Sequence, residues 1–289
     1  MDKIRCQICN SNDEYEISKK GRFGLKIRTV ICKQCGLVFT NPRFSKYENE
    51  IFYKMFYKIF FRGEEVPSDR HINNQLRKAS KIYTFIREHG YDIKKSAKIL
   101  DIGSSSGAAL LYFKNQGFNN VFGVEPSEKF AEYSRDILNI NTFCGEFEKF
   151  KSIEKYDFVI MRDVIEHFLN PLEIIKKLMN NLHSKSFIYI ETNNVHMPLD
   201  PTEKYEYQFH YAHPYIFSPV SLRNLMNAAG FDIKHIDADR YMQCIAVPSE
   251  NQQNGYVFEN YIDIVKSINR FNRKRIYNYA KSKIRKMFN

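Results

Sequence analysis

Lys98-Ile-Leu-Asp101-Ile-Gly103-Ser104-Ser-Ser-Gly107 is the stretch whose reading decides the fold. Ile99, Leu100 and Ile102 give the nearly unbroken apolar run of a strand buried on both faces. Ala108 to Asn115 continue at helical spacing, so the glycines fall at a strand-to-helix turn. The alternation then repeats through Val121 to Val124, Ser127 to Leu138, Thr142 to Cys144, Phe158 to Met161, Leu172 to Leu182 and Phe187 to Ile190. Strands alternating with helices predict an α/β fold, a doubly wound Rossmann-like sheet with helices on both faces. A helix from Pro219 to Ala229 ended by Gly230, then strands Ile233 to Ile236 and Gln243 to Val247, predict an antiparallel hairpin added to the otherwise parallel sheet.

The turn departs from the dinucleotide fingerprint, because Ser105 stands where its middle glycine would let backbone approach a pyrophosphate. S-adenosylmethionine has no phosphate and carries an ammonium and a sulfonium, which a carboxylate at the strand end, Asp101, suits. Gly103 and Gly107 let the backbone pass close to a ligand, with Ser104 beside them. Glu125-Pro126 ends the next strand 22 residues beyond Gly103, where an acid can accept both ribose hydroxyls. Glu146 and Phe147 are candidates to flank an adenine, and Phe147 reads equally well as core. Arg162 and Asp163 follow the fourth strand at its carboxyl end, where open α/β sheets bind ligands. His167 is placed near a transferred methyl group or as a capping and packing residue.

Cys6-x-x-Cys9 and Cys32-x-x-Cys35 are separated by 22 residues, and Asn10 and Gly36 follow as residues that tolerate a left-handed turn. Two such knuckles converge on one tetrahedral ion, here a structural Zn2+, since four thiolates leave no open position. Cys144 and Cys244 are expected to be buried apolar residues. The domains follow: 1–42 a small N-terminal zinc ribbon, 43–95 a helical connector broken near Gly63 and Pro67, 96–248 the sheet domain, and 249–289 a C-terminal helical tail.

The chain has 289 residues and a formal net charge of +11. Nine cations and no acid follow Asp263, so the rest is nearly balanced and a globally basic nucleic-acid surface is not required. Ile262, Val265, Ile268, Phe271 and Ile276 recur opposite many of these cations. The tail is therefore a helix packing one face on the domain or lying on anionic lipid. No apolar run approaches the roughly 20 residues that span a bilayer, and Met1 to Asn10 carries charges where a signal peptide is apolar. A cytoplasmic location is expected, with peripheral contact at the inner face of the membrane through the tail.

Taken together, residues 96 to 248 resemble class I S-adenosylmethionine-dependent methyltransferases. Cys-x-x-Cys…Cys-x-x-Cys-Gly-Leu-Val-Phe-Thr-Asn-Pro-Arg ahead of the glycine turn is similar to the zinc-binding front module of a subgroup that includes sugar C-methyltransferases. In those enzymes a Tyr/His-x-Glu-His cluster supplies the base that removes a proton beside a keto group. Here His210-Tyr211-Ala212-His213 matches the terminal histidine, and Ala212 stands in place of the glutamate. The resemblance implies a small-molecule or glycan acceptor, with His213 as general base, His210 beside it, and O-methylation as plausible as C-methylation. Tyr207, His210, Tyr211 and Tyr215 are candidates for a polar glycan face. The competing reading is a zinc-ribbon nucleic-acid-binding protein with an RNA ribose methyltransferase or noncatalytic domain. Met161-Arg162-Asp163-Val164 carries neither an Asn/Asp-Pro-Pro-aromatic turn nor a Pro-Cys nucleophile, which speaks against base methylation.

Overall fold

The structure is a computed structural model that describes residues 1–57, 65–198, 200, 202–250 and 256–288, with residues 54 and 280–288 described by their backbone alone. The expected break near Gly63 lies outside the described residues.

Two sheets organise the described residues. Strands β4 (Lys98–Ile102), β5 (Asn120–Glu125), β6 (Asn141–Cys144), β7 (Tyr156–Arg162), β8 (Leu182–Asn193), β10 (Phe231–Ala238) and β11 (Tyr241–Pro248) form the larger, in the order β10-β11-β8-β7-β4-β5-β6. Pairing is parallel from β6 to β8 and antiparallel at β8/β11 and β11/β10, as the terminal hairpin predicts. Chain order reverses at β4, which makes the carboxyl end of that strand the place where a ligand crevice opens.

The period of two along β4 decides which helices it meets. Leu100 and Ile102 join Val159, Met161, Ile188 and Ile190 against α5 (Pro171–Met179) and α6 (Pro219–Ala228), through Ile175, Leu178, Leu222 and Leu225. Ile99 joins Phe158, Ile160 and Tyr189 on the other face, against α3 (Ala108–Asn115) and α2 (Asp69–Glu88). From α2 come Ala79, Ile82, Phe85 and Ile86, at helical spacing. The segment read as a connector therefore supplies one helix, α2, of the layer that covers this face of the sheet.

The smaller sheet, β1 (Glu14–Lys20), β2 (Lys26–Cys32) and β3 (Val38–Thr40), takes its fourth strand, β9 (Tyr215–Ile216), from the histidine loop. Val38 pairs with Ile216 and Phe39 with Tyr215. Arg43 donates to Tyr215 Oη at 2.6 Å and to Asn170 Oδ1 at 2.8 Å. The cysteine module and the histidine loop are thus one packed unit, with Cys6, Cys32, Cys35 and Phe39 continuous with the core under α5 and α6.

Helix α7 (Tyr261–Phe288) buries Ile264 and Ile268 and packs Tyr261, Val265 and Phe271 against Tyr205 and Phe209. Two expectations need correction here. Ile262 is exposed, and Ile264 is the buried member of that turn. Cys144 is exposed at the end of edge strand β6, and Cys244 is buried as expected. The side chains of Lys281, Lys283, Arg285 and Lys286 lie outside the described residues. Among the described residues no helix is long and apolar enough to cross a membrane.

Candidate functional site

A cavity of about 510 Å3 opens at the carboxyl ends of β4 and β5, a volume suited to a nucleoside-sized ligand. Gly103 turns there at φ +75°, and a Cβ on it would stand 2.4 Å from Val164 Cγ2, so the position admits no side chain without displacing its neighbour. Glu125 is buried. One of its carboxylate oxygens accepts from Ser105 N at 2.9 Å and the other from Ser127 N at 2.8 Å. Two backbone N–H groups fix the carboxyl group in the wall, already aimed, before any ligand arrives.

Of the sequence candidates, Gly103, Glu125, Pro126, Glu146, Phe147, Asp163 and His167 line this cavity. Asp101, Ser104, Gly107 and Arg162 lie behind it. Arg162 hydrogen-bonds Gln75 of α2, and its field acts on Asp101, a buried carboxyl with no hydrogen bond among the described residues. Burial pushes Asp101 up to about 7, with Arg162 opposing and Glu125 adding. Ser104 is buried, and its Oγ has no hydrogen-bond partner among the described residues. A Cβ on Gly107 would stand 2.1 Å from Ser134 Oγ, which closes the helix on the strand. The glycine turn therefore has two polar flanks, the open cavity with Glu125 and the buried carboxyl of Asp101.

Sequence reasoning missed part of the wall. Asn49 and Glu50 of α1 (Lys46–Ile51), with Tyr53 and Tyr57 of the wider turn that extends it, line the cavity from the other side. From α2, His71 Nε2 lies 3.3 Å from Ser105 Oγ and Lys78 Nζ 3.7 Å from Asp163. The only signal in the sequence was aromatic density near Tyr53 and Tyr57.

The histidines converge but only one reaches the cavity wall. His167 Nδ1 lies 2.8 Å from Tyr53 Oη, and its ring meets His213 edge-on at 4.5 Å between centroids. The His213 ring lies 4.0 Å between centroids from that of His210, tilted by 45°, and does not line the cavity. Burial lowers His213 well below the usual imidazole range, with His210, His167 and Arg22 contributing. Burial, with the same fields of His167 and Arg22, lowers His210 to about 3. Both are neutral imidazoles near pH 7. Glu166 is fully buried behind His167, and burial together with Asp163 pushes it up to about 8.

The expected polar glycan face is not assembled. Tyr215 is a core residue whose Oη donates to Leu169 O at 2.9 Å, Tyr211 stacks on Phe44 and donates to Lys26 O, and His210 is buried. Away from the cavity, Cys6 Sγ lies 3.4 Å from Cys35 Sγ and Cys9 Sγ 3.5 Å from Cys32 Sγ. All four sulfurs lie within 4.8 Å of one another.

Residues 70–236, more than half of the chain, match a family model described as a methyltransferase domain. A tRNA U34 carboxymethyltransferase from Histophilus somni (strain 129Pt) is 26% identical over 153 residues, 49% of this chain and 47% of that protein. The same-named protein of Mannheimia succiniciproducens is 29% identical over 118 residues, 37% of each chain. The chain spans about half the length or less of these curated relatives. Among solved structures, magnesium protoporphyrin IX methyltransferase from Synechocystis PCC 6803 is 16% identical with a TM-score of 0.48, covering 70% of this chain and 97% of that one.

Proposed function

The chain belongs to the methyltransferase-domain family, and on that premise we propose that it transfers a methyl group from S-adenosylmethionine to a polar small-molecule or carbohydrate acceptor. The observation that carries the reading is the pinned carboxylate of Glu125 in the wall of a nucleoside-sized cavity beside Gly103. Glu125 is assigned to the ribose hydroxyls and Phe147, with Glu146, to the adenine. Asp101, buried with no hydrogen bond among the described residues, answers to the ammonium of the amino-acid portion. When bound, the sulfonium supplies an activated methyl group in line with the acceptor's nucleophilic atom.

His167 on the wall and His213 behind it are proposed to ease loss of the acceptor's proton, the part of the general base expected at His213. His213→Ala is expected to abolish transfer while the affinity for S-adenosylhomocysteine stays within a few fold. Full retained activity would reject the assignment. The acceptor class is tested by screening nucleotide-sugar and glycan acceptors for S-adenosylhomocysteine release.

Zinc is proposed for the cysteine cluster, in a structural role. Tetrahedral Zn–S bonds of about 2.3 Å put sulfurs about 3.8 Å apart, and the observed separations of 3.4 and 3.5 Å support that occupant. Stoichiometric zinc in the purified protein is the check.

A second reading rests on the relatives named for tRNA. Salt-sensitive retention of RNA by the purified protein would favour it over the carbohydrate acceptor.

A further inference from the structure

We propose that Glu166, His167 and His213 form a binding site for a divalent cation against the acceptor end of the cavity. The inference deepens the methyl-transfer reading and rests on it for the role of the ion, though not for its binding.

One ligand atom from each of the three side chains lies within 4.8 Å of the others. Glu166 is 1% exposed. One of its carboxylate oxygens accepts from Thr192 Oγ1 at 2.9 Å, and the other, buried, has no hydrogen-bond partner among the described residues. An unpaired buried carboxylate oxygen is expensive unless something positive answers it, and the groups beside it are two imidazoles that can share a metal with it. The donor set, two nitrogens and one oxygen, suits first-row divalent ions.

The imidazoles are also oriented from outside. His167 Nδ1 meets Tyr53 Oη, and His213 Nδ1 lies 3.4 Å from the side-chain amide of Asn193. Rotation of that amide offers its oxygen as the acceptor a metal-bound imidazole needs. The backbone is held as well. His167 N donates to Val164 O and His213 N to His210 O, each at 2.9 Å. The loop bearing His213 runs directly into β9, which is paired to the cysteine module.

Three protein ligands leave coordination open, the arrangement of catalytic metal sites. His167 lines the cavity, so an acceptor hydroxyl can take an open position. The ion lowers the pKa of that hydroxyl, and its proton passes to water. The oxygen's electron pair then forms the new O–C bond while the S–C bond breaks with its pair retained on sulfur. The sulfonium becomes a neutral thioether, and charge and atoms balance without a redox partner. His213 then acts on the acceptor's proton through the ion.

The test is titration with Mn2+ of the full-length protein holding one zinc per chain, which the four thiolates take first, read by loss of the free-ion paramagnetic resonance signal. Thiolates are soft ligands and do not compete for Mn2+. One Mn2+ per chain is expected, with binding weakened at least about tenfold in Glu166→Gln and in His213→Asn. Both variants should keep their S-adenosylhomocysteine affinity within a few fold, because neither residue lines the cavity. If wild-type protein that binds S-adenosylhomocysteine takes up no Mn2+, or if a folded variant binds it unchanged, the proposal is overturned. Should Glu166→Gln fail to fold, His213→Asn and the wild-type titration decide alone. Mn2+ uptake without S-adenosylhomocysteine binding would instead overturn the methyl-transfer reading and leave the cation site standing.

Discussion

Asp101 occupies an interior position at the end of a central strand, and its carboxyl is raised from 3.8 to about 7 chiefly by burial. A folded-state pKa above the unfolded value means that the native state holds a proton the unfolded chain releases between these pH values. The stabilising contribution is full below about pH 4 and is lost as pH rises through about 7, an amount of at most about 4 kcal/mol. Asp101→Asn is expected to flatten this loss, raising the melting temperature of the ligand-free protein at pH 8 while weakening S-adenosylhomocysteine. An ammonium arriving beside Asp101 draws its pKa down, so binding at pH 6.5 should release protons. Calorimetry in two buffers of different ionisation enthalpy reads that release, and equal heats in both would count against the assignment. Gly103 is the other residue with a sharp expectation. Its φ of +75° and the 2.4 Å approach of Val164 mean that Gly103→Ala should destabilise the fold by about 1–3 kcal/mol, read as a lower denaturant midpoint.

At the scale of elements, strands and their glycine turns were legible because the information is local. Ile99, Leu100 and Ile102 announce a buried strand by composition, and Gly103 and Gly107 mark its end. What was not legible depends on which distant surfaces meet. Nothing in Ala79, Ile82, Phe85 and Ile86 says that their helix covers Ile99 and Phe158, and nothing in Tyr53 says that it reaches His167. Tyr215 was read as a ligand-facing ring because it lies among polar aromatics, yet pairing with Phe39 makes it core. Cys144 was expected inside on residue type alone, but an edge strand exposes it. The β3/β9 pairing carries a consequence for the cysteine module. Cys6→Ser with Cys32→Ser should lower the melting temperature and also blunt Mn2+ uptake, because β9 holds the loop that carries His213. Tyr53→Phe, which removes only the oxygen facing His167, should leave S-adenosylhomocysteine affinity unchanged and slow turnover about fivefold, the effect of one lost hydrogen bond of roughly 1 kcal/mol.

Across the whole molecule, the cysteine module, the sheet domain and the start of α7 share packed surfaces, and the charge excess runs along that helix from Lys266 onward. Ile264, Ile268 and Phe271 tie the first turns down, while Ile276, Tyr277 and Tyr279 stand exposed beyond them. Truncation after residue 275 is therefore expected to leave the melting temperature within about 2 °C, whereas Ile264→Asp should lower it clearly by burying a charge. The proposed contact with an anionic membrane is read by pelleting with anionic vesicles, which the truncated chain should lose and the full chain should show in low salt.

Every assignment to the cavity depends on the glycine turn and Glu125 receiving a sulfur nucleoside, and isothermal titration of the purified protein with S-adenosylhomocysteine measures this most directly. One equivalent binding in the micromolar range, weakened at least tenfold by Glu125→Gln, is the predicted result. Folded protein that gives no heat with either S-adenosylhomocysteine or S-adenosylmethionine would contradict it.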